Sequence, residues 1–348
     1  MAARSFLRPG PSSIALLGLL VGFSGIEAGV QSLKMQRSIE KGLNYLVRTQ
    51  TRRGNWWANR GAYPVAMTAL SGLALACEGS TTTEGKYSDA ISAAVDYLIS
   101  QAQPNGLIGS PRINDRYTYG HGFSLLFLSQ IFGEEEDLER RARLHKILTE
   151  GVKFIGLAQT KKGGWGYVSA KDGRGFDEGS VTVTQIQGLR GAKNAGIVVP
   201  GGIIERAIKY IEKCTSANGG VRYSLSSGAG GERPAITAAG IAVVYSAGGY
   251  GSKLVPKMFK FCESRIPISS GFQQFGHQHY THLYYSQACY FHSEEKWKNY
   301  ISKAGPALLR QQQPDGRWSQ NYIGDVFSTA CTLIIFQLEN RNLPIFQR

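Results

Sequence analysis

The sequence predicts an all-α protein in which about six helical hairpins close around a central cavity. Two observations carry this reading, and the first is a repeat. Gln50, Gly54 and Trp56 form a Gln-x-x-x-Gly-x-Trp motif that returns as Gln159, Gly163 and Trp165, and again as Gln312, Gly316 and Trp318. Degenerate copies fill the gaps at Ala102, Gly106 and Ile108, at Thr215, Gly219 and Val221, and at Ile266, Ser270 and Phe272. The Trp position falls at 56, 108, 165, 221, 272 and 318, a period of roughly fifty residues that marks a stacked supersecondary unit. The second observation is that each motif is followed by an apolar stretch rich in Gly, Ala, Ser and Thr, suited to an inner helix packed on all sides.

Along the chain, the N-terminus reads first as an export segment, residues 1–28. Arg4 and Arg8 precede the apolar run Ile14–Phe23, and Ala28 offers a small residue for cleavage. The run is too short to span a bilayer comfortably, though an uncleaved N-terminal anchor is the alternative. In the first repeat, Ile39, Leu43, Leu46 and Val47 share one helical face. The motif Gly then turns the chain, its Gln caps backbone groups at a helix end, and its Trp packs over the Gly turn. The second helix begins at Val65, and its counterparts begin near Phe123, Val181, Ala235, Leu283 and Phe327.

With 348 residues, 42% hydrophobic and 18% charged, the chain is globular rather than disordered. Its formal net charge of +14 falls to +13 without residues 1–28, which hold two Arg and one Glu. Basic residues are spread along the chain, which favours anionic partners such as phospholipid, acidic polysaccharide or an isoprenoid diphosphate. Nucleic acid is disfavoured, since the chain reads as exported and carries no nucleic-acid motif. No later segment reaches the length of a membrane span. Cys77, Cys214, Cys262, Cys289 and Cys331 are scattered and mostly set in apolar stretches, so they read as small buried hydrophobes. One disulfide stays open for an exported chain.

Lys41-Gly42-x-x-Tyr45-Leu46-Val47 leading to Gln50, Gly54 and Trp56 resembles the repeat of triterpene cyclases, the squalene–hopene cyclase group. Protein prenyltransferase β-subunits share a related repeat. The chain also resembles exported prenyltransferase and squalene oxidase repeat proteins of planctomycete-type bacteria, including its closing residues Asn342–Arg348. The resemblance covers residues 36–348 and implies an α/α toroid, with an inner ring of helices sheathed by an outer ring. It implies an isoprenoid-type ligand or substrate in the cavity, but fold does not fix chemistry.

The cyclases resemble this chain around Gly163-Gly164-Trp165 and Gln187-Gly188-Leu189. Their protonating Asp-x-Asp-Asp-Thr motif aligns here with Glu178, Gly179, Ser180, Val181 and Thr182, so Ser180 stands where the central acid belongs. A serine cannot protonate an alkene. A shifted alignment offers Asp177 or Glu178 instead. The prenyltransferase zinc positions read Gly179 and Val181, which supply no ligand, so no metal or cofactor is expected. The reactive Cys-Gly-Glu-Gln segment of complement-like thioester domains is absent from the sequence.

Candidate catalytic residues are Asp177, Glu178 and Asp325. Each reads either as an acid aimed into the cavity or as an N-cap of the following helix. The cavity wall is expected to include Tyr63, Tyr119, His121, Ser180, Thr182, Gln185, Glu232, His279, Tyr280 and His282. Glu232 and Arg233 read alternatively as a surface pair. His277, His279 and His282 invite a metal, but no nearby carboxylate completes a set, and a polar pocket is the preferred reading. Three functions follow: a terpenoid cyclase- or transferase-like toroid, a non-catalytic module holding a peptide, lipid or acidic glycan, and a glycan-active enzyme with opposed carboxylates such as Glu178 and Asp325. The first is the preferred reading and the other two are its alternatives; the ligand, the catalytic activity and the oligomeric state stay open.

Overall fold

The computed structural model describes residues 33–112, 114–173, 175–226, 230–268, 277–319 and 322–348. The expected export segment, residues 1–28, lies outside them. Within the described residues, twelve α-helices run as six hairpins. The outer helices are α1 (33–49), α3 (Ser88–Ser100), α5 (Leu138–Ala158), α7 (Gly201–Cys214), α9 (Val255–Arg265) and α11 (Glu294–Gln311). Their inner counterparts are α2 (Pro64–Ala76), α4 (Tyr117–Phe132), α6 (Gly179–Asn194), α8 (Pro234–Ser246), α10 (Gln278–His292) and α12 (Asp325–Gln337). The inner helices touch in the order α2, α4, α6, α8, α10, α12 and back to α2. The chain therefore folds as an all-α α/α toroid, with an inner and an outer ring.

Burial explains which helix takes which ring. Every residue of α2 is buried, as is all of α8 from Ile236 to Ser246, so these helices have no polar face to offer water. In contrast, α7 buries only Ile203, Ala207, Tyr210, Ile211 and Cys214, a single stripe. Two inner helices start earlier than the apolar signal suggested, at Tyr117 rather than near Phe123 and at Gln278 rather than near Leu283. Their first turns carry Thr118, His121, His279 and His282, which are polar yet fully buried, and this hides the helix start from a hydrophobicity reading.

The repeat motif is a joint between neighbouring hairpins. Each motif Gln uses its amide nitrogen twice. Gln159 Nε2 donates to Gly163 O at 2.8 Å and to Ile203 O at 3.0 Å, which lies at the start of the next outer helix. Gln50 does the same with Gly54 O and Ala90 O. Gln312 donates to Gly316 O and Ser38 O, which ties the last hairpin to the first. The indole N–H of each motif Trp donates ten residues back, to Leu46 O, Ile155 O or Leu308 O at 2.7–2.8 Å. The Trp thus satisfies a carbonyl at the helix end, and the Gln bonds backbone carbonyls of its own turn and of the next repeat. Antiparallel bridges join Gln312 to Trp318, and likewise Ala102 to Ile108 and Thr215 to Val221, so these degenerate copies make the same turn. Ser270 and Phe272, the fifth copy, lie outside the described residues.

Glycine is required in the turn on two counts. Gly163 has φ +99°, and a Cβ there would sit 2.3 Å from Arg206 O of the neighbouring outer helix. Gly316 has φ +97°, with its Cβ 2.2 Å from Lys41 O.

The chain's own C-terminus packs across the end of the ring opposite the repeat turns. Leu343, Ile345 and Phe346 are buried, Ile345 N–H donates to Gln130 Oε1, and Arg341 Nε donates to the Tyr290 hydroxyl. Beneath them, Gln187 Nε2 donates to Gln287 Oε1 at 2.8 Å across the interior. All five cysteines are buried and unpaired. Among the described residues no helix is long and apolar enough to cross a membrane.

Candidate functional site

A cavity of about 820 Å³ occupies the opposite end of the ring, where all the inner helices begin. Its wall follows a register. The residue preceding the first turn of five inner helices lines it: Tyr63, Arg116, Glu178, Arg233 and His277. The third helical residue contributes as well, giving Ala66, Tyr119, Ile236, Tyr280 and Phe327. In α6 the second residue, Ser180, takes that place. A third position, two residues after the motif Trp, adds Ala58, Tyr167 and Tyr223. The wall is thus mostly aromatic and aliphatic, with two guanidinium groups and, among the described residues, one carboxyl group.

That carboxyl belongs to Glu178, which is 1% exposed. Its Oε2 accepts from Val181 N–H at 2.9 Å, so the side chain caps α6 while it also faces the cavity. The two readings left open by the sequence are both met by one residue. Ser180 Oγ lies 2.8 and 2.7 Å from its two oxygens, and 2.5 Å from the Tyr119 hydroxyl. The Tyr119 hydroxyl is also 3.4 Å from Glu178 Oε2. Tyr280 donates to Ser180 O. Burial pushes the Glu178 pKa above the ordinary glutamate value, against hydrogen bonds from Ser180, Val181 and Tyr119 that favour the charged form. No salt bridge among the described residues includes it. Burial also holds the Tyr119 and Tyr280 phenols well above their usual pKa, so both are neutral. The Tyr167 and Tyr223 hydroxyls hydrogen-bond to each other. The Arg116 guanidinium stacks 4.4 Å from the centre of the Tyr167 ring, which keeps the cation at the mouth.

Of the residues named from the sequence, the structure brings Tyr63, Tyr119, Glu178, Ser180 and Tyr280 together in this wall. The others have different places. Asp177 is fully buried outside the wall. Its Oδ1 accepts from the Tyr210 hydroxyl, Ser224 Oγ and Leu225 N–H at 2.8–2.9 Å, and Ser226 Oγ donates to Oδ2. It pins the fourth repeat's loop. Asp325 opens α12 and pairs with Arg317 Nε at 3.0 Å rather than entering the wall. Glu232 Oε1 accepts from Ser216 Oγ, while Arg233 lines the cavity, so the two do not form a surface pair.

Thr182 and His121 hold repeat turns. Thr182 Oγ1 accepts from Trp165 N–H at 3.0 Å, and Thr68, Thr237 and Thr329 serve Trp56, Val221 and Trp318 in the same way. His121 takes the role in the second repeat. Its Nδ1 accepts from Ile108 N–H, which leaves Nε2 to donate to Gly151 O, and burial lowers its pKa to about 4. Gln185 Nε2 donates to Thr118 O and links α6 to α4. His282 Nδ1 meets the Tyr300 hydroxyl of α11 at 3.0 Å, away from the wall, and His279 is buried beside Gln278. Burial lowers these two pKa values to about 3 and about 4. Among the described residues no three His, Cys, Asp or Glu are grouped to hold a metal ion.

Asp177 carries a testable consequence. Burial alone would raise its pKa, but the bonds from Ser226, Leu225, Ser224 and Tyr210 outweigh burial and hold it below the ordinary aspartate value. Its carboxylate therefore stabilises the fold above that ordinary value, and the contribution is lost as pH falls through the lower, folded-state pKa. Asp177→Asn is expected to cost about 1–3 kcal/mol at pH 7 in urea denaturation, with the difference from the parent chain shrinking in strong acid.

No protein-family model matches the sequence, and no curated protein matches it. Solved structures do. The type II terpene cyclase MstE from Scytonema is 14% identical, with a TM-score of 0.62 over 89% of this chain and 99% of that one. The α-1,6-mannanase of a Salegentibacter species is 8% identical, with a TM-score of 0.64 over 87% and 98%. A protein from Actinoplanes is 14% identical, with a TM-score of 0.59. MstE has been solved with geranylgeranyl dihydroxybenzoate as substrate, and the mannanase with α-1,6-mannotriose. At these identities the likeness speaks for the fold alone: the chain is an α/α toroid, the architecture shared by terpene cyclases and glycan-cleaving enzymes of this kind.

Proposed function

We propose that this toroid, in an exported chain, binds a ligand with an apolar, isoprenoid-type body and an anionic head. The observation that carries the reading is the composition of the wall. Aromatic and aliphatic side chains surround one buried carboxyl of raised pKa, and Arg116 and Arg233 stand at helix starts where a negative group is favoured. The cavity volume of about 820 Å³ falls within the ordinary range for small-molecule sites. Within it, Glu178, Ser180 and Tyr119 form a short relay of hydrogen-bonding groups, and Glu178, when protonated, donates a proton or a hydrogen bond to the ligand. A carboxyl of raised pKa is a weak acid, and Ser180 replaces the cyclases' central acid. Both points favour binding, or acid–base chemistry at a polar group, over alkene protonation. A glycan-active enzyme with opposed carboxylates needs a second acid in the wall. Asp325 is engaged by Arg317 instead.

The test compares geranylgeranyl diphosphate, geranylgeraniol and α-1,6-mannotriose by equilibrium binding, with product analysis after long incubation. The diphosphate is expected to bind most tightly, and Arg116→Gln to weaken it by about tenfold. Tighter binding of mannotriose would replace this reading with the glycan one. Conversion of the diphosphate, abolished in Glu178→Gln, would make the chain an enzyme.

A further inference from the structure

The two ends of the toroid differ in charge. In the loops that join outer to inner helices, around the cavity mouth, the described residues include ten exposed Arg or Lys against three exposed Asp. In the loops at the far end, and the C-terminal residues 338–348, exposed acids outnumber exposed bases by six to four. The mouth also carries exposed aromatics. Trp57 is 51% exposed, whereas the chain's other four Trp, at 56, 165, 297 and 318, are at most 1% exposed. Tyr322 is 74% exposed. Asn59 N–H donates to Ile323 O at 2.8 Å, which joins the two loops that carry these rings. Arg60 and Tyr63 of the same loop sit in the left-handed region, at φ +60° and +51°.

We propose that the mouth face docks on an anionic lipid bilayer, with Trp57 and Tyr322 at headgroup depth and Arg52, Arg53 and Arg60 on the lipid phosphates. Amphipathic rings beside clustered cations are the chemistry of a membrane interface, whereas a soluble polyanion would use the cations and leave the rings in water.

The test is flotation of the full chain with phosphatidylcholine vesicles, with and without about a third phosphatidylglycerol. Binding to the anionic vesicles only, weakening with salt, is expected. Loss of three phosphate contacts in Arg52→Gln, Arg53→Gln, Arg60→Gln together is expected to lower partitioning on the order of 100-fold, roughly fivefold for each residue. Lys253→Gln, Lys257→Gln, Lys260→Gln together remove the same charge elsewhere and are expected to stay within about threefold of the parent, since screening confines the attraction to the docked face. Acyl chains brominated near the headgroup should quench the parent's fluorescence, and Trp57→Phe should remove that quenching. The vesicles carry no prenyl probe, so the outcome does not depend on what fills the cavity. Equal binding to neutral and anionic vesicles, an equal loss in the two triple variants, or quenching that survives Trp57→Phe overturns the proposal.

Discussion

Gly316→Ala is expected to destabilise the chain by about 3–5 kcal/mol, a large part of an ordinary domain's stability. The left-handed φ of +97° alone costs an alanine about 1–2 kcal/mol. The added Cβ would also lie 2.2 Å from Lys41 O, a backbone atom of the first outer helix that cannot swing aside. The site matters beyond its own repeat, because Gln312 reaches Ser38 across the same contact and the ring closes there. Thermal unfolding followed by circular dichroism checks the size of the loss. Gly175→Ala makes the internal comparison: its φ is +73°, but nothing lies within 4 Å of the added Cβ, so only the backbone cost of about 1–2 kcal/mol is expected. Equal losses at the two positions would remove the joint from the description of the fold.

Glu178→Gln is expected to act in opposite directions on stability and on the ligand site. The folded-state pKa of Glu178 lies above its unfolded value, so the native chain binds the extra proton more tightly. Stability arising from this group is therefore full below the ordinary glutamate pKa and is lost as pH rises through the raised one. At pH 7 the native state carries the cost of a buried carboxyl. Glutamine keeps an acceptor for Val181 N–H and removes that cost, so a gain of about 0.5–2 kcal/mol is expected at neutral pH, vanishing toward pH 4. The same change removes the carboxyl proton of the relay. Any acid–base turnover is expected to fall by about 100-fold or more, while the binding of an apolar body against Tyr119, Tyr280 and Phe327 persists. A variant that loses stability at pH 7 would instead make Glu178 a purely structural cap.

Much of the ring was legible because its joints are local and repeated. Gln50, Gly54 and Trp56 each satisfy a geometric demand that recurs around the ring, so the full motif returns at the same spacing in two further hairpins, with degenerate copies between them. The cavity wall is less legible, because its register runs through loops of different length. The hydroxyls that serve the motif position follow it by 12 residues at Thr68, 17 at Thr182, 16 at Thr237 and 11 at Thr329, with His121 at 13. Unequal spacing conceals that these five are equivalent, so Thr182 and His121 read as cavity residues when they are turn anchors. Tyr167 and Tyr223 were within reach of the sequence, since both stand two residues after the motif position, as Ala58 does. Arg116 gave no such signal, and His277 was marked only as one of three histidines of a polar pocket, of which it alone lines the wall. Arg116 and His277 line the cavity because they precede inner helices whose starts are masked by buried polar residues. Asp177 and Glu178 are adjacent and chemically alike, yet the backbone turns one toward the Tyr223–Ser226 loop and the other toward the cavity. Only the folded chain separates a loop anchor from a candidate acid.

The most direct measurement is a carbon-13 titration of the Glu178 side-chain carboxyl, assigned against Glu178→Gln, in the free chain and with geranylgeranyl diphosphate bound. A midpoint above that of an ordinary glutamate is expected, rising further when the apolar body displaces water from the cavity. A midpoint at or below the ordinary value, or one that saturating probe leaves unmoved, would contradict a buried acid of raised pKa facing the ligand.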